Sequence, residues 1–455
     1  MAKGSFRFPL YGGGSTPDPA VYCPANGYVP DEPGAGNWEL IAKFQTNSPG
    51  TTTFDPALAT DPMTWDGKIA WKVDGVIYYT RDISITLDGT LKDAELYILK
   101  GSGLTVNSIV VDNDHIVGTL DLSFFKPHPT LASSISTYSN TLLTSIKFNQ
   151  NKKFIVGNIS AYSSNLTGTI DLSFIEKLSS SAIISFYSNP NLERIIFPSS
   201  IISGQLHLLY LNNCNLKGNI DLSAFNALSS TAGIRLNSNA NLQSVTFPSS
   251  FTGAISQLYL HYCNFTSIDL SIIASQLTNY AAIQVSNNPN LSSVTFPTSA
   301  TGKISQFNCS LTALTSIDLS AYDFTDTAAF YANNCASLTT INFKPGALGK
   351  FTQFNISYSN ISSIDISQLP NCILKNSCNF SLNNNSMAAA MVDKILFDLA
   401  AIVASDATNY TGRQINIGGL GTTANAAPTD GTVTGYDGLT AKAYLISRSI
   451  SVTSN

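Results

Sequence analysis

The sequence predicts a mainly β chain: a solenoid of paired coils, each about 24 residues, preceded by a small β domain and followed by a small α/β unit. Three observations carry this. One phrase returns six times, as Leu120-Asp121-Leu122-Ser123, Ile170-Asp171-Leu172-Ser173, Ile220-Asp221-Leu222-Ser223, Ile268-Asp269-Leu270-Ser271, Ile317-Asp318-Leu319-Ser320 and Ile364-Asp365-Ile366-Ser367. Its aspartates step by 50, 50, 48, 49 and 47 residues. A second phrase sits halfway between, at Leu143–Phe148, Leu192–Pro198, Leu242–Pro248, Leu291–Pro297 and Leu338–Phe343, so each period is a pair of units. The third observation is a strand pattern: Leu206, Leu209, Leu211, Cys214 and Leu216 recur as Ile255, Leu258, Leu260, Cys263 and Phe265, and again as Phe351, Phe354, Ile356, Ser359 and Ile361.

Apolar residues at alternate positions of a short strand point into the coil. A single coil cannot bury that face, whereas stacked neighbours close a continuous core. Asn140, Asn189, Asn239, Asn288 and Asn385 recur where the chain leaves the strand, where an inward amide can pair backbone groups of the turn. Cys335 takes that place in one unit, and Cys214 and Cys263 take it in the alternate series. From about Val106 to Met387 the pattern resembles leucine-rich repeats, which implies a leucine-rich-repeat solenoid.

Four regions follow. Residues 1–37 are rich in Gly and Pro, suited either to a floppy tail or to an extended arm that orders against a partner. Residues 38–105 hold Trp38, Trp65 and Trp71 and two Asp-Gly hairpin signals, Asp74-Gly75 and Asp88-Gly89, and are expected to form a β domain covering the first coil. Residues 106–387 are the solenoid. In 388–455, Met391, Ile395, Leu396, Leu399 and Ile402 fall on one side of a helix over Ala388–Ala404. A strand at Gln414–Ile417, a helix over about Gly438–Arg448 and a strand at Ile450–Thr453 complete an α/β unit expected to cover the last coil.

Charged residues make up 12% of the chain and the formal charge is −5 with no basic run, which argues against nucleic-acid binding. Seven cysteines follow no disulfide framework. Cys214, Cys263 and Cys309 fall on core positions where a thiol acts as a small hydrophobe, and a reduced Cys372 and Cys378 is the preferred reading. No secretory signal follows Met1, and no apolar run reaches membrane-spanning length, so no membrane insertion is expected.

The Ile-Asp-Leu-Ser and Val-Thr-Phe-Pro alternation, the turn Asn287–Leu291, and the tail Asn425-Ala426-Ala427-Pro428-Thr429 with Leu439-Thr440-Ala441-Lys442 and Leu445-Ile446-Ser447-Arg448 are similar to leucine-rich-repeat proteins of bacteriophages infecting Bacteroidota and of their hosts. The resemblance covers roughly residues 106–455. It implies a virion protein of tail or fibre type, assembled in the host cytoplasm, that binds other virion proteins through residues 1–105 and a host-surface glycan or protein through the solenoid. A homo-oligomer is compatible with it. The alternatives are a virion decoration or connector protein without a receptor role, and a bacterial cell-surface adhesin.

Enzymatic chemistry is not expected. Aspartates on alternate coils lie about 10 Å apart, beyond the range of an inverting carboxylate pair, and their fixed frame suits bonds to turn amides. His115, His128, His207 and His261 lack metal-ligand spacing, and Gly12-Gly13-Gly14-Ser15-Thr16 lacks the lysine of a phosphate loop, so neither metal nor cofactor is expected. The candidate binding residues are those flanking the inward strand positions, expected on an open concave face: Tyr138, Tyr162, Tyr187, Tyr210, Arg235, Tyr259, His261, Tyr262, Gln284, Tyr331 and Tyr358. Tyrosines in a row can stack on sugar rings; the bland reading is that Tyr simply suits strands.

Overall fold

The computed structural model describes residues 37–47, 49–58, 68–79, 83–100, 102, 106–111, 116–369, 378–405, 412–433 and 435–455. The chain is mainly β and forms a β-solenoid of about ten turns. One wall is a sixteen-stranded sheet. From Val106–Val110 to Ser451–Thr453 its strands are parallel and follow chain order. In-register stacking places equivalent residues of successive coils side by side, so the wall is a set of columns. One inward column runs Ile109, Ile135, Ile159, Ile184, Leu209, Ile234, Leu258, Ile283, Phe307, Phe330, Phe354 and Phe380, all buried. Burying each side chain contributes roughly 1.5–3 kcal/mol. Over its last four residues the column becomes a phenylalanine stack, with centroids 5.8 Å apart for Phe307–Phe330, 5.2 Å for Phe330–Phe354 and 4.9 Å for Phe354–Phe380.

The opposite wall is built from the two repeated phrases, which pair with each other: Ile170 with Ile195, Ile220 with Val245, Ile268 with Val294 and Ile317 with Ile341. From Thr167 to Phe343 this wall is broken into four separate two-stranded sheets, one per period, whereas the first pair of phrases, Leu120 beside Ile146, belongs to a six-stranded sheet. Pro198, Pro248 and Pro297, which end the second phrase two residues beyond its strand, supply no N–H to extend the ladder. Each repeated aspartate accepts the amide of the serine two residues on, at 3.0 Å for Asp121, 2.9 Å for Asp171, Asp221 and Asp269, 3.0 Å for Asp318 and 3.1 Å for Asp365. The ladder is turn chemistry within its own coil.

A second ladder crosses between coils. Asn239 Nδ2 donates to the carbonyl of Leu211 one coil back (2.9 Å) and to Leu236 in its own coil (2.7 Å), while its Oδ1 accepts from Leu216 N (3.0 Å). Asn140, Asn189, Asn288 and Asn385 do the same. On coils without the amide, Ser164, Cys214, Cys263, Cys335 and Ser359 each donate to a carbonyl one coil back. Cys214 and Cys263 are buried in the core, as expected, and in the place of the amide they also act as hydrogen-bond donors, at 3.2 Å to Phe186 O and 3.3 Å to Leu236 O. Cys309 lies in an apolar inward column between Val285 and Ala332, and is fully buried. Cys372 lies outside the described residues.

The strands before residue 106 join both walls. Trp38–Thr46 pairs antiparallel with Ile116–Leu122, and Pro49–Leu58 with Val106–Val110. Lys126 and Glu39 form an ion pair across the first of these junctions. Asp74 and Gly75, at φ 50° and 81°, turn the expected hairpin between Ile69–Val73 and Val76–Tyr78. The expectation at Asp88-Gly89 is corrected. Ile83–Asp88 pairs with Pro49–Leu58, whereas Lys92–Leu99 pairs with Trp38–Thr46 and Ile69–Val73, so the chain there crosses between sheets. Residues 1–36 and Trp65 lie outside the described residues.

Beyond the repeats, helix α1 (Ala389–Ala404) and helix α2 (Gly438–Ser447) pack together, and Gln414–Asn416 and Ser451–Thr453 continue the parallel wall. The buried side of α1 is Val392, Asp393, Ile395, Leu396, Leu399 and Val403, with Met391 and Ile402 at its margin rather than at its centre. Asn425 repeats the amide bond pattern, donating to Leu382 O and Ile417 O at 2.8 Å each and accepting from Asn385 N and Met387 N at 3.0 Å each. No helix among the described residues is long and apolar enough to cross a membrane.

Candidate binding face

The outward side of the continuous wall carries several columns of side chains, two of which hold the expected binding residues of the strands. The first aligns Ser136, Ser160, Ser185, Tyr210, Arg235, Tyr259, Gln284, Asn308, Tyr331, Asn355 and Ser381. The second, two residues further along each coil, holds Tyr138, Tyr162, Tyr187, Asn212, Asn237, His261, Ser286, Ser310, Asn333, Ser357 and Asn383. Its order follows from the amide of each next residue, which bonds the following coil, as in Ser163 N to Tyr187 O (2.9 Å) and Ser238 N to His261 O (2.9 Å).

Tyr138, Tyr162 and Tyr187 form a face-to-face stack, with centroids 4.9 and 4.5 Å apart and planes within 3° and 7°. Strand spacing of about 4.8 Å imposes this separation on aromatic rings in one column. Both faces of Tyr162 are thereby covered by its neighbours, so no sugar ring can lie flat on it. In the first column the Arg235 guanidinium lies over Tyr210 at 4.4 Å and Tyr259 at 5.2 Å. Its Nε and Nη2 donate to Gln257 Oε1 at 3.0 and 2.6 Å. Gly233, beside Gln257, leaves room for this packing: a Cβ there would lie 3.3 Å from the Leu208 side chain and in ordinary contact with the Tyr210 ring at 3.6 Å. Gln284 Nε2 donates to Gln306 Oε1 at 3.1 Å. The face is thus a pre-organised set of stacked and cross-bonded side chains.

His261 lies between Tyr259 and Tyr262, with ring centroids 5.8 and 5.5 Å away. Burial pushes its pKa below the ordinary imidazole value, and its buried Nδ1 has no hydrogen-bond partner. Burial alone also raises the phenol pKa of Tyr331.

Two of the expected face residues are elsewhere. Tyr262 and Tyr358 occupy the turn just beyond the strand, at φ 56° and 55°, and both are more than half exposed. The same left-handed position recurs on each coil as Ser139, Ser163, Ser188, Asn213, Ser238, Tyr262, Asn287, Leu311, Asn334, Tyr358 and Asn384. Ser and Asn at this place in neighbouring units are the signal that a turn begins there, since Asn tolerates left-handed backbone where bulky residues resist it. Gln257, Gln306 and Leu311 belong to the surface too. The first two sit on a third outward column before Arg235 and Gln284, and strand parity alone would have revealed them.

Among the described residues no group of three or more His, Cys, Asp and Glu side chains is placed to hold a metal ion. In comparisons with known proteins, no family model, curated protein or solved structure matched the chain.

Proposed function

We propose that this chain is a non-enzymatic virion protein of tail or fibre type, built from leucine-rich repeats. Its N-terminal region would attach to the particle, and the solenoid would display a surface to a host glycan or protein. The observation that carries this reading is the contrast between columns. Inward columns repeat Ile, Leu or Phe on coil after coil, while the first outward column changes from Ser to Tyr, Arg, Gln and Asn along its length. A stacked scaffold needs only the inward identity; outward variation supplies a surface with its own chemistry. The side chains are held by ring stacking and amide bonds, which reduces the ordering cost of binding. The leucine-rich-repeat reading is supported by the unit length and by the buried Asn ladder. The virion reading is supported by the sequence resemblance. In this account the strands before residue 106 and the segment after residue 387 cover the two ends of the core.

The test has two arms. Proteomics of purified virions is expected to recover this chain in stoichiometric amounts, and its absence there would overturn the virion assignment. Soluble full-length chain is expected to bind Bacteroidota cells and to block infection; a virion component that does neither would be a decoration or connector protein.

A further inference from the structure

The strand-face tyrosines and the turn tyrosines differ in one respect that decides what each can bind. Tyr162 is closed on both faces by other rings, whereas Tyr262 is 56% exposed and Tyr358 is 54% exposed. Tyr262 meets His261 edge-on, at 68° between planes, which leaves the phenol ring uncovered by any stacked aromatic partner. Its backbone is strained: φ is 56° at a position where adjacent coils use Ser238 and Asn287. A bulky residue there is disfavoured by about 1–2 kcal/mol. Leu311 and Tyr358 repeat the strain on every second coil after Tyr262, again with exposed side chains. The edge contact with His261, worth about 0.5–1.5 kcal/mol, at most offsets this strain at Tyr262, so packing gives little net reason for these large side chains at the turn.

Tyr262 also forms part of the wall of a shallow cleft of about 480 Å³. Pro190 and Ala240 supply further apolar surface, and Asn215, Ser238 and Asn287 supply amide and hydroxyl groups. The lining spans five successive coils, about 19 Å at one strand spacing per coil. Cys214 and Cys263 complete it. Burial pushes their thiols up to about 11 and about 12, so both are neutral at physiological pH. No lining residue carries a charge, and an uncharged wall selects against anionic ligands, which would lose hydration without gaining a counter-charge.

We infer that the turn ridge, centred on Tyr262, is a binding site for an extended neutral oligosaccharide: the open phenol ring stacks on a sugar face, and Asn215, Ser238 and Asn287 pair with sugar hydroxyls. This rests on the proposed role in surface binding and moves its aromatic contact from the strand face to the turn.

The test is isothermal titration of the full-length chain with cello-, laminari-, manno- and maltohexaose, and with an oligogalacturonate as the acidic comparison. At least one neutral hexasaccharide is expected to bind. Tyr262→Asn, which places at this turn the residue its neighbour Asn287 already uses, is expected to weaken that binding at least tenfold while the melting temperature holds or rises. Tyr280→Ser, which removes an exposed tyrosine elsewhere, is expected to leave binding within twofold of the parent. Unchanged binding by Tyr262→Asn overturns the inference, as does tighter binding of the oligogalacturonate than of every neutral sugar. If no neutral hexasaccharide binds while labelled chain still coats Bacteroidota cells, the inference falls and the proposed function stands. If the chain binds neither sugars nor cells, both fall.

Discussion

Tyr162 and Tyr187 lie face to face across adjacent coils, 4.5 Å between centroids and 7° from parallel. With Tyr138 they show how a solenoid turns a repeated residue into a stack whose geometry is set by the sheet rather than by the rings. Each aromatic pair is worth about 0.5–1.5 kcal/mol beyond the area it buries. Tyr162→Ala removes two such pairs and is expected to lower unfolding free energy by roughly 1–3 kcal/mol, measured by urea denaturation. Tyr187→Ala, which removes one of the two described contacts, should cost less; an equal or larger loss would show that the stack does not act pair by pair.

The amide ladder makes a sharper demand. Asn239→Ala strands the N–H of Leu216 and the carbonyl of Leu211 inside the protein, and each buried group left unpaired costs about 1–3 kcal/mol. A loss of several kcal/mol, or failure to fold, is expected. Cys263→Ser should be nearly neutral, because Ser164 and Ser359 already perform that donation on other coils. A large loss in Cys263→Ser would contradict the donor role assigned to the thiol.

Close approach between coils fixes a set of glycines. A Cβ on Gly253, at φ 103°, would lie 2.0 Å from the carbonyl oxygen of Leu228, and Gly204, Gly302 and Gly349 make the same approach to Leu178, Leu277 and Phe324. Gly253→Ala is expected to destabilise by about 3 kcal/mol or more, since strain and overpacking each contribute about 1–3 kcal/mol. Thermal unfolding checks it, and a variant as stable as the parent would mean the coils can separate there.

Stability should also depend on pH through His261. Burial lowers its folded pKa below the unfolded value of about 6.5, so the unfolded chain takes up the proton more readily. The neutral ring's contribution is therefore complete above about pH 6.5 and is lost as pH falls towards the folded pKa. Urea midpoints measured from pH 8 to 5 should decline on the acid side, and His261→Phe should flatten that decline. Parallel profiles for the two proteins would contradict the assignment.

The inward half of each coil was legible in the sequence because burial repeats with the strand period: the pattern of Leu206, Leu209 and Leu211 returns as Ile255, Leu258 and Leu260 and as Phe351, Phe354 and Ile356. The turn role of Asp221 was legible for the same reason, since a fixed Asp-x-Ser spacing has one short-range use. The helix over Ala389–Ala404 was legible, although its buried centre moved to Val392 and Val403 once Asp393 was drawn inward by the backbone amide of Thr429 (2.7 Å). Residue type alone does not reveal backbone sign, so Tyr262 and Tyr358 looked like strand residues until their φ angles placed them in the turn. Nor does it reveal pairing partners: Asp88-Gly89 carries a hairpin signal, yet its flanking strands bond in different sheets. The openness of an aromatic face depends on the neighbouring coil, and for that reason the sequence leaves the Tyr138, Tyr162 and Tyr187 row open between a sugar platform and residues that simply suit strands, whereas the rings stack on one another.

Saturation binding of fluorescently labelled full-length chain to Bacteroidota cells tests the central claim most directly. Saturable binding is expected, displaced by surface polysaccharide or surface protein released from the same cells. Absence of saturable binding across phage-susceptible strains, with the chain folded and present in virions, would contradict a receptor-binding role and leave the solenoid as a structural element of the particle.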